Sequence, residues 1–341
     1  MKAAIYNPYL DTLGGGERYS ISFAKVLSDS GYEVDVEWNN KHIRKNLQDR
    51  FGIDLCDIRI VNSINRGDQY DVCFWVSDGS VPRLRARNNI LHFQFPFRDV
   101  DGKSLLNRMK MFRVNAVLVN SKFTKGFIDD EYGVDSKVVY PPVDVKKFKA
   151  KRKEKIILYV GRFSKLTQNK GQDNLIKTYK TLVKEGYSDW KLVLAGGAEV
   201  GSDKYLKKLK KDAKKYPVTF VENPSLKKLQ ELYGKAKIFW SAAGYGIHEQ
   251  KQPLKVEHFG ITPVEAMSAG CIVFLYEAGG HKEIVFDQKD GYLWEKTEEL
   301  IDKTVKVIEN YKLSQKLARN AKKKAQIFSY ENFEKEIKNL L

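Results

Sequence analysis

Residues 155–162 read KIILYVGR and residues 271–276 read CIVFLY. In both runs the apolar side chains stand at successive positions instead of alternating ones. A strand with one wet face alternates, whereas a strand covered on both faces does not. Both runs therefore predict strands of a parallel sheet with helices packed on either side. Working outward, strand-like runs recur at 190–196, 218–222 and 236–241. Helical periodicity separates them at 172–186, 203–215, 225–234, 262–269 and 297–308. Strand–helix alternation of this kind implies right-handed βαβ units and a doubly wound sheet.

The same pattern has already run once before residue 140. Strands are predicted at 2–7, 32–38, 58–62, 70–76, 89–95 and 115–120, with helices at 17–30, 41–50 and 102–112. Between the two halves, 140–154 (YPPVDVKKFKAKRKE) holds two prolines and a basic run and reads as a linker. The expectation is an α/β protein of two Rossmann-like doubly wound domains, 1–149 and 150–328, facing across a cleft. The segment 329–341 opens on a serine cap and is expected to form a closing helix.

Composition narrows the function. The chain has 341 residues and a formal net charge of +17. Such a field attracts phosphate-rich partners. No zinc-finger spacing, RNA-binding aromatic motif or basic zipper accompanies the charge, so no nucleic-acid partner is expected. The Lys-rich stretches 204–215 and 311–324 read as amphipathic helices with solvated faces. Cys56, Cys73 and Cys271 are far apart and form no CxxC; buried free thiols in a reducing, cytoplasmic setting are expected. No run of 18 apolar residues predicts a spanning helix, and MKAAIYNPYL lacks a signal-peptide pattern.

Three constellations could carry chemistry. Gly14-Gly15-Gly16 lies between the first strand and the first helix, where glycines permit close approach and helix N–H groups face an anion. It lacks the third glycine of a dinucleotide fingerprint, although Asp35 and Glu37 could stand for the ribose-binding acid. Arg162 and Lys170 follow the strand at 155–162; an Arg fork and a Lys charge in one strand-to-helix loop suit a diphosphate. Glu257 and Glu265 flank Phe259-Gly260-Ile261, with Thr262 expected to cap a helix and Pro263 to open it. These carboxylates can accept from ribose or sugar hydroxyls, and the helix start can stabilise a leaving phosphate. His92, in LHFQFPF at a strand end, is a candidate to face a ligand, though a histidine among aromatics is also a core residue.

Taken together, these residues resemble glycosyltransferase family 4, the retaining enzymes of GT-B fold. The resemblance rests on GGGER at 14–18, VNSKFTK at 119–125, VVYPPVDVKKF at 138–148, VGRF…KG at 160–171, LAGG at 194–197 and the Glu257/Glu265 pair. The stretch WSAAGYG…VEHFGITPVEAM is similar to mannosyltransferases that extend lipid-linked oligosaccharides. The resemblance implies transfer of a hexose from a GDP- or UDP-sugar to a glycan or lipid-linked acceptor. In it Arg162 and Lys170 bind the diphosphate and Glu265 binds the ribose. Glu257 orients the sugar beside the Phe259–Ile261 backbone, Gly15 and Gly16 line the phosphate and acceptor side, and His92 sits by the reacting carbon. It implies a closing helix that crosses back to the first domain. One departure from the family pattern is 244–256, an insertion-like stretch.

No metal and no cofactor beyond the nucleotide sugar is expected, since cations and helix dipoles can take the leaving charge. The alternative is an NAD-dependent oxidoreductase or a sugar-nucleotide epimerase on a related scaffold. The segment 104–119 (SLLNRMKMFRVNAVLV) mixes apolar and basic residues and suits an anionic membrane surface, and equally an ordinary helix followed by a strand. Peripheral association with the inner membrane face is expected on that basis.

Overall fold

A computed structural model describes residues 1–164, 170–197 and 203–341. It divides into two compact units, Met1–Pro142 with Tyr330–Leu341, and Val143–Ser329.

The first unit runs β1 (Lys2–Tyr6), α1 (Gly15–Asp29), β2 (Glu33–Glu37), α2 (Ile43–Phe51), β3 (Ile58–Val61), β4 (Val72–Val76), β5 (Asn88–Phe93), α3 (Leu105–Met111), β6 (Ala116–Val119), α4 (Lys122–Tyr132) and β7 (Lys137–Val138). Its seven strands are all parallel, in the order β3-β2-β1-β4-β5-β6-β7. The second unit runs β8 (Glu154–Val160), α5 (Gln172–Lys184), β9 (Lys191–Gly196), α6 (Asp203–Ala213), β10 (Val218–Glu222), α7 (Leu226–Lys235), β11 (Ala236–Ser241), α8 (Ile261–Ser268), β12 (Ile272–Tyr276), α9 (His281–Ile284), β13 (Tyr292–Trp294), α10 (Thr297–Glu309) and α11 (Tyr311–Ala325). Its six strands are also parallel, in the order β10-β9-β8-β11-β12-β13.

Counted within its own unit, each sheet begins 3-2-1-4-5-6. That order reverses between its first and fourth strands, and ligands of open α/β sheets bind at the carboxyl ends where it reverses. In the second unit this point lies between β8 and β11. The unbroken apolar runs are explained by burial on both faces: Ile157, Leu158, Tyr159, Val273, Phe274 and Leu275 are all closed off from solvent.

The last helix, α12 (Tyr330–Lys338), belongs to the first unit. Its Phe333 meets the Tyr19 ring edge-on, with centroids 5.1 Å apart, and Ile337 is buried beside it in the core. Val143 and Ser329, the first and last residues of the second unit, pair as a parallel bridge.

Two expectations need correction. Thr262 does not cap α8. Gly260 does, at φ +109°, so the helix starts at Ile261 and Pro263 falls at its third position. The pyrrolidine is tolerated there because the first four helical N–H groups lack intrahelical partners anyway. Of the three cysteines, Cys73 and Cys271 are buried but Cys56 is exposed, in a turn where its N–H donates to Asp54 Oδ1 at 3.0 Å.

Candidate active site

All strands of the second sheet are parallel, so the loops after β8, β11 and β12 leave from one edge. Glycines let these loops lie on one another. A Cβ on Gly196 would stand 1.9 Å from the Gly161 carbonyl oxygen, which holds the ends of β9 and β8 together. Gly171, at φ +68°, brings the start of α5 against Ala242 just past β11; a Cβ there would be 2.5 Å from the Ala242 oxygen. Past β12, Gly280 N–H donates to the Glu257 carbonyl at 2.8 Å.

Into this edge project the residues singled out above. Lys170 Nζ donates to Glu257 Oε2 at 2.8 Å, and the two side chains are only 14% and 21% exposed. Burial alone would push the Glu257 carboxyl up, but the adjacent ammonium outweighs it and holds the group at about 2. Two imidazoles that the sequence reading left out stand around the pair. Burial brings His258 down to about 4 against the pull of the Glu257 carboxylate. Burial likewise lowers His281, whose Nδ1 donates to the Tyr276 carbonyl at 2.9 Å and whose Nε2 lies 3.4 Å from Ser241 Oγ. Burial thus favours the neutral form of both rings, and the ion pair at this point of the site is Lys170–Glu257.

Arg162 is exposed just beyond β8, and its carbonyl accepts from Gln172 Nε2 at 2.8 Å. Burial chiefly raises the Tyr159 phenol, and Glu257 and Arg162 act on it with opposite sign. Glu265 is buried on α8, where Tyr233 Oη donates to its Oε2 at 2.9 Å. Phe259 is buried edge-on against Phe328, leaving the 259–261 backbone at the start of α8 beside Glu257. Glu249, from the insertion-like stretch, accepts from Gly279 N–H at 2.7 Å and pairs with Lys282 at 2.6 Å. No local pattern encodes where that side chain goes.

The remaining candidates lie in the first unit. Gly15 and Gly16 open α1, and the Glu17 carboxylate reaches back to Gly14 N–H at 2.7 Å and Thr12 Oγ1 at 2.8 Å. A Cβ on Gly16 would stand 1.6 Å from Gln94 Oε1, so a side chain there requires the Gln94 amide to swing away. His92 is fully buried inside the core, stacked on Tyr19 with ring centroids 4.2 Å apart, and neither ring nitrogen has a well-formed hydrogen bond. Burial takes its pKa down to about 3. In this conformation it has no access to a ligand. Asp35 and Glu37, the acids a dinucleotide would need, are engaged: Arg59 grips Asp35 at 2.7 and 3.1 Å, Tyr70 adds 2.7 Å, and Glu37 accepts from Ile64 N–H.

The family model described as glycosyl transferases group 1 matches residues 142–324, the unit that carries the Lys170–Glu257 pair. The chain belongs to that family. Among curated relatives of this group 1 chain is a GDP-Man:Man(3)GlcNAc(2)-PP-Dol alpha-1,2-mannosyltransferase from Dictyostelium discoideum. The two are 30% identical over 241 residues, 64% of this chain and 45% of that one. Another is the alpha-1,3/1,6-mannosyltransferase ALG2 of Kluyveromyces lactis, 25% identical over 370 residues, 85% of this chain and 72% of that one. The chain spans less than half the length of the first curated relatives it matches. HepE of Anabaena, crystallised with UDP and glucose, superposes with a TM-score of 0.76 over 99% of this chain and 98% of its own, at 16% identity. The fold is GT-B, as the resemblance implied, and the oxidoreductase alternative is set aside.

Proposed function

We propose that this chain transfers a hexose from a nucleotide-diphosphate sugar to a glycan or lipid-linked acceptor, with retention and without a metal. The observation that carries this is the Lys170–Glu257 pair, set at the carboxyl edge of the sheet where the strand order reverses. Lys170 and Arg162 hold the diphosphate. Glu257 orients the sugar with the backbone of Phe259, Gly260 and Ile261, and Glu265 accepts from the ribose hydroxyls. As the bond between sugar carbon and phosphate oxygen breaks, its electron pair stays on the diphosphate, and the two cations stabilise that charge. The acceptor oxygen attacks on the face being vacated and loses its proton to the departing phosphate. The name of the Dictyostelium relative favours GDP-mannose as donor and a lipid-linked glycan as acceptor, and that of the Kluyveromyces relative favours a mannosyl group. Among the described residues no helix is long and apolar enough to cross a membrane. We place the enzyme peripherally on the cytoplasmic face.

A thermal-shift panel tests the donor class. GDP or UDP, with the matching sugar, is expected to stabilise the chain by about 2.7 kcal/mol at a hundredfold excess over Kd. A shift with NAD and none with any nucleoside diphosphate would overturn the reading. The metal claim has its own test. Transfer is expected to survive a chelator unchanged, and activity abolished by chelation and restored by magnesium would sink it.

A further inference from the structure

We infer that α3 is the element through which this chain docks on an anionic phospholipid bilayer. The inference rests on the lipid-linked-acceptor reading above and names the surface that would serve it. Of the ten large apolar side chains exposed among the described residues, four lie on this one short helix and its cap. Leu105 is 75% exposed, Leu106 63%, Met109 61% and Phe112 90%. α3 contributes no fully buried residue, and only Met111, followed by Val114, leans on the core cluster around Leu91, Phe93 and Tyr132.

The arrangement is ordered. At 100° per residue, positions 105, 106, 109 and 112 fill one arc of about 120°. Arg108 flanks that arc on one side and Lys110 on the other. The neighbouring hollow of about 470 Å³ is lined by Lys103, Arg108, Met111, Phe112, Tyr132 and Val134, so cations again stand beside apolar groups. An apolar face bordered by basic residues lies in the plane of a membrane, its apolar side chains among the acyl chains and its cations at the headgroups. The occupant follows from charge. α3 carries no acidic side chain, and the whole chain carries +17, so a surface of opposite sign is the complement. A second copy of this chain would bring like charge to the same place.

Co-sedimentation of the full chain with vesicles tests this. The vesicles are phosphatidylcholine alone or phosphatidylcholine mixed with phosphatidylglycerol. Binding to the mixed vesicles is expected to exceed binding to the neutral ones by at least about tenfold and to fall as salt shortens the Debye length. The triple variant Leu106→Ser/Met109→Ser/Phe112→Ser should lose at least about tenfold in binding. Arg108→Gln/Lys110→Gln should lose binding at low salt and flatten the salt dependence. Leu106, Arg108, Met109 and Phe112 are exposed and Lys110 is half-buried, and none of them is part of the core, so melting temperature and the shift with nucleoside diphosphate should stay unchanged in both variants. The proposal is overturned if the parent chain ignores phosphatidylglycerol or if the triple variant binds as well as the parent. It is overturned equally if the triple variant turns a dimer into a monomer while the parent ignores vesicles. If vesicles bind as expected but no nucleoside diphosphate shifts the melting point, the transferase reading fails and the docking surface stands.

Discussion

Lys170→Ala is expected to lower kcat/KM for sugar transfer by about 10²–10³, the usual cost of removing one preorganised positive group from a developing anion. The loss has two parts. The leaving diphosphate loses a cation, and Glu257 loses the ammonium 2.8 Å away that keeps it ionised inside a mostly closed site. An unpaired carboxylate next to an anionic donor repels it. Glu257→Gln is expected to cost less, about 10–10², because one charge-assisted contact to a sugar hydroxyl becomes a neutral one while Lys170 stays. In the double variant the repelling carboxylate is gone, so its loss should fall well short of the product of the two single losses. Strictly multiplicative losses would mean that the two groups serve different ligands. Melting curves separate this from folding and give the pH signature. The folded Glu257 carboxyl titrates at about 2, below its ordinary 4.5. A depressed acid contributes stability that is complete above the ordinary value and lost as pH falls through the folded one. The stability gap between the parent and Glu257→Gln should therefore shrink between about pH 5 and pH 2 and stay level above it.

How far this site could be read without coordinates depends on the reach of each interaction. KIILYVGR and CIVFLY disclose buried parallel strands because burial on two faces is written into consecutive side chains. The boundaries of β11 coincide with its apolar run for the same reason, and those of β10 match its run although that edge strand buries no residue completely. The residue types at 162, 170, 257 and 265 announced anion and hydroxyl chemistry, but 87 positions separate Lys170 from Glu257, and only the adjacency of β8 and β11 brings them together. Asp35 looked available until Arg59 and Tyr70 arrived from neighbouring segments. His92 stands near a strand end, where a side chain commonly meets ligand, yet Tyr19 from α1 lies flat over its ring. For the cap of α8, Thr262 followed by Pro263 points to side-chain chemistry. A left-handed glycine decided it instead, and that is a backbone property that nothing in Gly260 alone announces. His258 and His281 carry no local signal, because a histidine next to a carboxylate acquires its role from burial, which local sequence does not report.

The fold beneath the site depends on a lysine outside the chemistry, and Lys153→Met is expected to destabilise the second unit by about 2–4 kcal/mol. Lys153 Nζ donates to the carbonyl oxygens of Ala269 at 2.7 Å, Ala236 at 2.8 Å and Tyr233 at 3.2 Å. Its three N–H donors thus meet three acceptors. Tyr233 lies in the last turn of α7, Ala236 is the cap of α7 and the first residue of β11, and Ala269 is the cap of α8. One ammonium therefore closes two helix C-termini at once, where unpaired carbonyls and the helix dipole both call for a cation. The Cys271 thiol, 3.7 Å away, donates to two of the same carbonyls and cannot take the third. Methionine fills the space of the lysine stem but offers no donor, so the Ala269 carbonyl loses its cation and the ends of α7 and α8 loosen. A fall in melting temperature of roughly 4–16 °C follows for a unit of this size. Both helices support the site: α7 supplies Tyr233, which holds Glu265, and α8 carries Glu265 and begins beside Glu257. At a temperature where the variant remains folded, nucleoside-diphosphate binding should weaken along with stability. A variant as stable as the parent would show that water satisfies these carbonyls equally well and that the lysine is incidental to the two helix ends.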